Sequence, residues 1–226
     1  MLKKEALATI EQTIGYQFKD KQLISQAFTR SSYHYEHPED QSNEVMEFVG
    51  DSVLSLLVVD NLLDRYTGKD GSGLYSCLNE GDFSSIRSFM VNKSFLAKKM
   101  RKLDLHQFLR MSIGDEKQGI ENSISVLEDL FESIVGAIYL DVGRNLNKTK
   151  KIALDINGES YLGLFGKLTG GTVERIITTG SIEGNSYIGG IAGESKGTIK
   201  YCINKAEIKG LIVSSQNMGG IAGVNN

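Results

Sequence analysis

Two incompatible periodicities share this chain of 226 residues, and the switch between them near residue 145 limits its fold more than any other feature. Before the switch, apolar residues recur three and four positions apart. One stripe is Leu23, Ile24, Ala27 and Phe28, and a second is Met46, Val49, Val53, Leu56, Leu57, Leu62 and Leu63. A third holds Phe89, Met90, Phe95, Leu96 and Met100, and a fourth Leu127, Leu130, Phe131, Ile134, Val135 and Ile138. Each stripe predicts an amphipathic helix. Breakers at His37-Pro38-Glu39-Asp40, Thr67–Ser72 and Ser112–Gly119 separate them, and Ser84 and Asn92–Ser94 read as helix starts.

After the switch, glycine rises from 10 in the first 145 residues to 15 in the last 81, and short β-branched runs replace the helical stripes. The phrase Tyr161-Leu-Gly-Leu-Phe-Gly166 returns as Tyr187-Ile-Gly-Gly-Ile-Ala-Gly193 and as Met218-Gly-Gly-Ile-Ala-Gly223. Between these phrases, Gly171-Thr-Val173 matches Gly197-Thr-Ile199, and Gly180-Ser-Ile-Glu-Gly184 matches Ala206-Glu-Ile-Lys-Gly210. A repeat of this length built from short strands predicts a β-solenoid with glycine at its corners. The charge divides as well: 16 basic against 22 acidic residues before the switch, 9 against 6 after it. The expected organisation is a helical domain over residues 1–145, a linker over 146–160 and β repeats over 161–226.

Composition removes several functional classes. No apolar run reaches the ~18 residues a membrane helix needs, and Glu5, Thr9, Glu11 and Gln12 interrupt any signal-peptide core, so the chain reads as cytoplasmic. Cys77 and Cys202 lie far apart, and His34, His37 and His106 are scattered, so neither a disulfide framework nor a zinc site is expected. A net charge of −3 predicts no general attraction to polyanions.

The chemistry concentrates in Asn43-Glu-Val-Met-Glu-Phe-Val-Gly-Asp-Ser-Val-Leu54. On a helix, Glu44, Glu47 and Asp51 share one face, and Met46, Val49 and Val53 face a core. A second helix over Ser125–Leu140 carries Asp129 and Glu132 one turn apart. Acids at this spacing describe a solvated face, or, if the two helices meet, an oxygen-only site suited to Mg²⁺ or Mn²⁺. Gly50 beside the first set and Gly136 beside the second favour close helix contact.

The segment Asn43–Leu54 resembles the signature of the ribonuclease III family, approximately N-E-x-L-E-F-L-G-D, with Met46 and Val49 where leucines are usual. Ile14-Gly-Tyr-Gln-Phe18, similar to the family's opening helices, and three further segments extend the resemblance over about residues 6–143. Gln26–Tyr33 is similar to the family's T-H-R-S-like stretch, with Arg30 in place of histidine. Asn79–Arg87 is similar to E-G-D-L-S-x-x-R, and Leu127–Asp141 to L-A-D-x-x-E-A-L-I-G-A-I-Y-L-D. The resemblance implies an all-α endonuclease domain that cleaves double-stranded RNA in RNA processing, with Mg²⁺ (Mn²⁺ as substitute) and products bearing 5′-phosphate and 3′-hydroxyl ends. It assigns the metal-binding and catalytic roles to Glu47, Asp51, Asp129 and Glu132, and accessory acids to Glu44 and Glu80. It also implies a homodimer, for which Phe48 is an interface candidate; a core position is the other reading of that ring. Arg87, Lys93, Lys98 and Lys99 are candidates for phosphate contact, although a solvated helix face describes the same lysines.

Departures from the resemblance define further expectations. Thr67–Leu78 reads as an inserted surface loop. Arg144–Lys151 lacks an apolar stripe, so the helical domain is expected to lose its closing helix. Where the family carries a double-stranded-RNA-binding domain, Tyr161–Asn226 resembles GLUG repeats of bacterial surface proteins. That pairing, and a repeat ending without a polar cap, suggest a truncated or artificially joined chain. Alternatives to the nuclease are a non-catalytic double-stranded-RNA-binding protein and a surface β-solenoid module.

Overall fold

The computed structural model describes residues 1–76, 78–155, 165–168, 170–178, 181–184, 186–210 and 216–225. Cys77, the opening 161–164 of the first glycine phrase and residues 156–160 of the expected 146–160 linker fall outside these residues. The chain divides into two compact units, Met1–Ile156 and Asn157–Asn226. The first therefore runs eleven residues past the expected boundary at 145.

The first unit is helical, in the order α1 (Lys4–Ile14), α2 (Lys21–Ala27), α3 (Ser31–Glu36), α4 (Glu44–Tyr66), a hairpin of β1 (Thr67–Asp70) and β2 (Gly73–Ser76), α5 (Glu80–Met90), α6 (Lys93–Leu103), α7 (Ile113–Gln118), α8 (Ile124–Asp141) and α9 (Leu146–Asp155). Local chemistry sets several starts. Asp20, Asn92, Ser112 and Ser123 each accept a backbone N–H of the helix they precede. Asn79 and Asp82 form a reciprocal capping box on α5. Ser84, expected as a start, lies inside α5 and donates its hydroxyl to Glu80, because Asn79 already satisfies the helix end.

Helix α8 is the axis of this unit. Its residues from Val126 to Ile138 are buried except Asp129, so it is covered on almost every side. Helix α4 crosses it at very short range. A Cβ on Gly50 would stand 1.8 Å from the Glu132 carbonyl oxygen, and one on Gly136 would stand 2.2 Å from that of Met46. Met46, Val53, Leu54, Leu57, Val58 and Leu62 of α4 turn into the core. Val45, Phe48, Leu56 and Leu63 stay exposed, so the long apolar stripe read on this helix serves two faces.

Polar clamps close the periphery. Asp141, at the end of α8, accepts the Tyr16 hydroxyl at 2.6 Å and the backbone N–H groups of Lys19 and Asp20. Thr29 bridges Arg110, and its carbonyl accepts the Asn43 N–H at 2.8 Å at the threshold of α4.

Two expectations change here. The stretch thought to lack a packing face forms α9: Thr149 and Ala153 are buried, Ile152 packs on the core, and the Lys150 ammonium reaches Asp60 at 2.6 Å and also Asp64. Its apolar face is short, and an ion pair to α4 completes the docking, which is why no stripe was visible. The insert expected as a loop is the antiparallel β1–β2 hairpin, with Thr67 opposite Ser76 and Asp70 opposite Gly73.

The second unit contains β3 (Phe165–Leu168), β4 (Thr172–Glu174), β5 (Ile177–Thr178), β6 (Ser181–Gly184), β7 (Ser186–Gly189), β8 (Ala192–Ser195), β9 (Thr198–Lys200), β10 (Ile203–Asn204), β11 (Glu207–Gly210), β12 (Gln216–Gly219) and β13 (Ala222–Asn225). Strands one repeat apart pair in parallel: Val173 with Ile199, Ile177 with Ile203, Ile182 with Ile208 and Ile188 with Met218. Ala192 lies between Phe165 and Ala222 in a three-stranded sheet. The pairing follows the sequence phrases residue for residue, at steps of 26 to 30, but each sheet holds only two or three strands and none closes on itself. The corners are not reserved for glycine. Arg175 (φ 59°) and Tyr201 (φ 55°), one repeat apart, both take the left-handed conformation. Glycine is needed elsewhere: a Cβ on Gly190 would meet the Asn204 side chain at 2.2 Å and the Gly220 carbonyl at 2.4 Å.

The backbone contact of α4 and α8 leaves no room for a methyl group. Gly136→Ala should lower the melting temperature by about 3–10 °C, the range for overpacking a core of this size. Gly114→Ala, where the nearest side-chain atom is 3.6 Å away, should leave it unchanged or raise it slightly. Calorimetry on both variants checks the contrast.

Candidate functional site

The glycine contact sets the spacing of the acids. Glu132 stands on α8 at the point where Gly50 of α4 touches its backbone, so Glu47, one turn before Gly50, and Asp51, the residue after it, flank that point. Asp129 lies one turn before Glu132 on α8. Glu132 is 7% exposed, Glu47 and Asp129 are half-buried, and Asp51 is exposed.

The electrostatics show how near these groups are. Burial, then Asp51, Glu128, Glu47 and Asp129, push the Glu132 carboxyl up to about 8. Burial and then Asp129, Glu44 and Glu128 raise Glu47, with Arg30 opposing. Burial and then Glu128 raise Asp129, against Arg30 and Lys93. The two acid sets, 78 or more residues apart in sequence, thus act on one another in space. The donor chemistry, carboxylate oxygens only, suits a hard divalent cation, and such a cation would relieve the repulsion. Among the described residues, however, no three His, Cys, Asp or Glu side chains are drawn together tightly enough to hold an ion as they stand.

The remaining candidates divide. Glu44 is exposed on the first turn of α4, where its carboxylate accepts the Ser42 hydroxyl at 3.1 Å, and it acts on Glu47. Glu80 is exposed on the first turn of α5 and accepts from Ser84 at 2.7 Å. Arg87 and Lys98 are exposed. Lys93, the first residue of α6, places its ammonium 2.7 Å from Glu128. Lys99 departs from the phosphate-contact expectation. It is half-buried with its ammonium over the rings of Phe95 (5.0 Å) and Phe131 (5.7 Å), and burial pulls it down to about 8. On α6 the apolar stripe runs through Phe95 and Leu96, and Lys99 lies one turn beyond Phe95, on the packed side of the helix.

Two residues whose charges act on these acids are not singled out by the sequence reading. Glu128 is 7% exposed on α8 and acts on all three of its acidic neighbours. The signal was there, since the pattern L-A-D-x-x-E carries alanine where this chain has Glu128. In the sequence, Arg30 reads only as a replacement for histidine. Its charge bears on both Glu47 and Asp129, and Asp115 lies 3.4 Å from its Nε. Asp115 also accepts the Ser32 hydroxyl at 2.6 Å, which orients the carboxylate.

Comparison with known proteins gives one consistent result. A family model described as Ribonuclease-III-like matches residues 20–156. The Ribonuclease 3 of Treponema succinifaciens is 40% identical over 151 residues, covering 67% of this chain and 41% of that protein. The Ribonuclease 3 of Caldanaerobacter subterraneus is 40% identical over 151 residues, covering 66% and 61%. Among solved structures, the nuclease domain of ribonuclease III from Campylobacter jejuni aligns with a TM-score of 0.56 at 35% identity, over 69% of this chain and 94% of that domain. A second structure of that domain, with a TM-score of 0.55, concerns flexibility in the region involved in its dimer formation. This chain spans only 41 to 61% of the length of these curated relatives.

The raised Glu132 carboxyl makes stability pH-dependent. A carboxyl held above its ordinary range favours the folded state at low pH, and that contribution is lost as the pH rises through about 8. In chelator, the melting temperature should therefore fall between pH 6 and pH 8. Glu132→Gln should flatten the fall and gain about 5 °C at pH 8. Mg²⁺ should stabilise the parent more at pH 8 than at pH 6. Thermal melts at both pH values check all three outcomes.

Proposed function

This chain belongs to the ribonuclease-III-like family, and on that premise we propose that its helical unit is an endoribonuclease that hydrolyses double-stranded RNA. One observation carries the reading: the packing of α4 on α8 brings carboxylates from separate helices into mutual electrostatic range beside an exposed surface. Glu47, Asp51, Asp129 and Glu132 would hold Mg²⁺, or Mn²⁺ in its place, with Glu44 and Glu80 as outlying acids. A divalent ion bound there supplies charge neutralisation at the scissile phosphate and a water of lowered pKa for in-line attack.

The chain's own residues do the rest. The half-buried carboxylates present a preset oxygen array, and the buried Glu132 is the member whose ionisation the protein most resists, so metal and proton compete for it. Arg87, Lys93 and Lys98 would position phosphates by charge, and recognition would follow A-form shape and 2′-hydroxyl groups. The products would carry 5′-phosphate and 3′-hydroxyl ends.

A duplex has two strands, and a second copy of the chain would supply a second site. Val45, Phe48 and Leu56, at three- and eight-residue steps, form an exposed apolar strip along α4; Phe48 alone is 75% exposed. We assign this strip to a homodimer interface. No helix among the described residues is long and apolar enough to cross a membrane, and we place the protein in the cytoplasm, in RNA processing. For the second unit, parallel pairing at steps of 26 to 30 residues supports a short β-solenoid of the GLUG type.

Incubation with duplex RNA and Mg²⁺ should yield discrete cuts that chelator abolishes. Asp51→Asn and Glu132→Gln should each lower the rate by about 10³-fold or more, as expected from losing several kcal/mol of transition-state charge stabilisation. Unchanged cleavage by both variants overturns the reading. Phe48→Glu, at a position that contributes little to its own core, should shift the sedimentation mass from two chains to one while leaving the melting temperature within a few degrees.

A further inference from the structure

We propose that Glu128 is a positioning residue, which holds the Lys93 ammonium beside the acid cluster as a fixed cation for an RNA phosphate. The inference rests on the nuclease reading above and adds a role that the metal-binding acids do not supply.

Glu128 is anomalous where it stands. It lies immediately before Asp129 and one turn before Glu132 on α8, and it is 7% exposed. Burying a carboxylate costs several kcal/mol, and here the charge also repels three neighbouring carboxylates. Alanine would be the better helix former at this position, with no desolvation cost. What offsets the acid is Lys93, whose Nζ stands 2.7 Å from Glu128 Oε2.

The geometry of that pair is asymmetric. The carboxylate is buried, whereas the Lys93 side chain is 66% exposed. A lysine stem carries four rotatable carbons, so an unheld ammonium at a helix start samples solvent broadly. The Asn92 side chain caps α6 through the Phe95 N–H, which fixes the stem's root, and Glu128 fixes its tip. Glu128 holds the ammonium by charge, and the ammonium's donors stay available for phosphate oxygens. The charges of Asp129 and Glu132 also bear on Lys93, so the held cation lies on the metal-binding side of α8. A phosphate approaching these acids meets net repulsion, and a cation fixed beside them offsets it locally.

The test turns on a sign. By charge alone, removing an acid from an RNA-binding surface tightens binding; by the tether, removing Glu128 weakens it. Duplex RNA binding is measured by anisotropy in Mg²⁺ across a salt series, with every arm in the Asp51→Asn background so that the RNA is not consumed. Lys93→Ala should weaken binding about fivefold to tenfold and reduce the salt slope by about one counterion. Glu128→Ala should do the same, and the double variant should be no weaker than either single. Glu128→Gln, which removes the charge that makes the ion pair, should weaken binding as Glu128→Ala does. Thermal melts should show Glu128→Ala as stable as the parent or more so. Tighter or unchanged binding by Glu128→Ala, or additive losses in the double variant, overturns this proposal alone. A parent that binds no duplex overturns the nuclease reading, and this proposal with it.

Discussion

Everything distinctive about the first unit follows from two backbones touching. Helices α4 and α8 meet where each lacks a side chain, Gly50 against the Glu132 carbonyl and Gly136 against that of Met46. Ordinary helix pairs stand ~8–10 Å apart because side chains interdigitate between them. Removing those side chains lets the flanking residues of the two helices approach laterally. The residues that flank this contact are acids, so the packing that builds the core also crowds negative charge. The apolar burial of α8 from Val126 to Ile138 supplies the favourable term that tolerates this crowding.

The charge is managed from outside the four clustered acids. Arg30 and Lys93 approach the cluster from two directions, the first from the segment before α3 and the second from the start of α6. Each has its own acid: Asp115 beside Arg30 and Glu128 beside Lys93. A cation with a dedicated partner is less free to collapse onto Glu47 and Asp129 and neutralise them. The arrangement lowers the field at Glu47 and Asp129 without occupying their oxygens. Glu132 has no such cation among the causes of its shift and keeps the most strongly raised carboxyl.

The sequence exposed the helices that carry the site and the acids on them, because a stripe of Leu127, Leu130, Phe131, Ile134 and Ile138 is a local signal of a buried face. It could not show which side of each stripe is core. On α4, Leu56 and Leu63 read as one face with Leu57 and Leu62, yet the first pair is exposed and the second buried. Helix α9 was missed for the converse reason. Its docking relies on Thr149, Ala153 and an ion pair from Lys150 to α4, none of which makes an apolar period. Lys99 looked like its neighbours Lys98 and Lys102 because a charged head says nothing about where its stem lies. Only the packing of α6 on α8 puts that ammonium over Phe95 and Phe131. The repeat phrases of the second unit were more legible than any helix boundary, since matching phrases pair in register wherever one strand lies on its copy.

The two units solve the same burial problem by opposite routes. In the first, glycine is scarce and decisive: two glycines set one contact, and a methyl group at either would meet backbone, which cannot yield as a side chain can. In the second, glycine is frequent and the step between strands is set by repetition, so some corners hold other residues. Arg175 and Tyr201 show this directly, since both take a left-handed conformation that costs a side chain about 1 kcal/mol or more and persist because the parallel neighbours on either side fix the turn. A site that needs groups from distant parts of the chain held to fractions of an ångström belongs on the first kind of scaffold, where one contact determines the rest. That is where the carboxylates are.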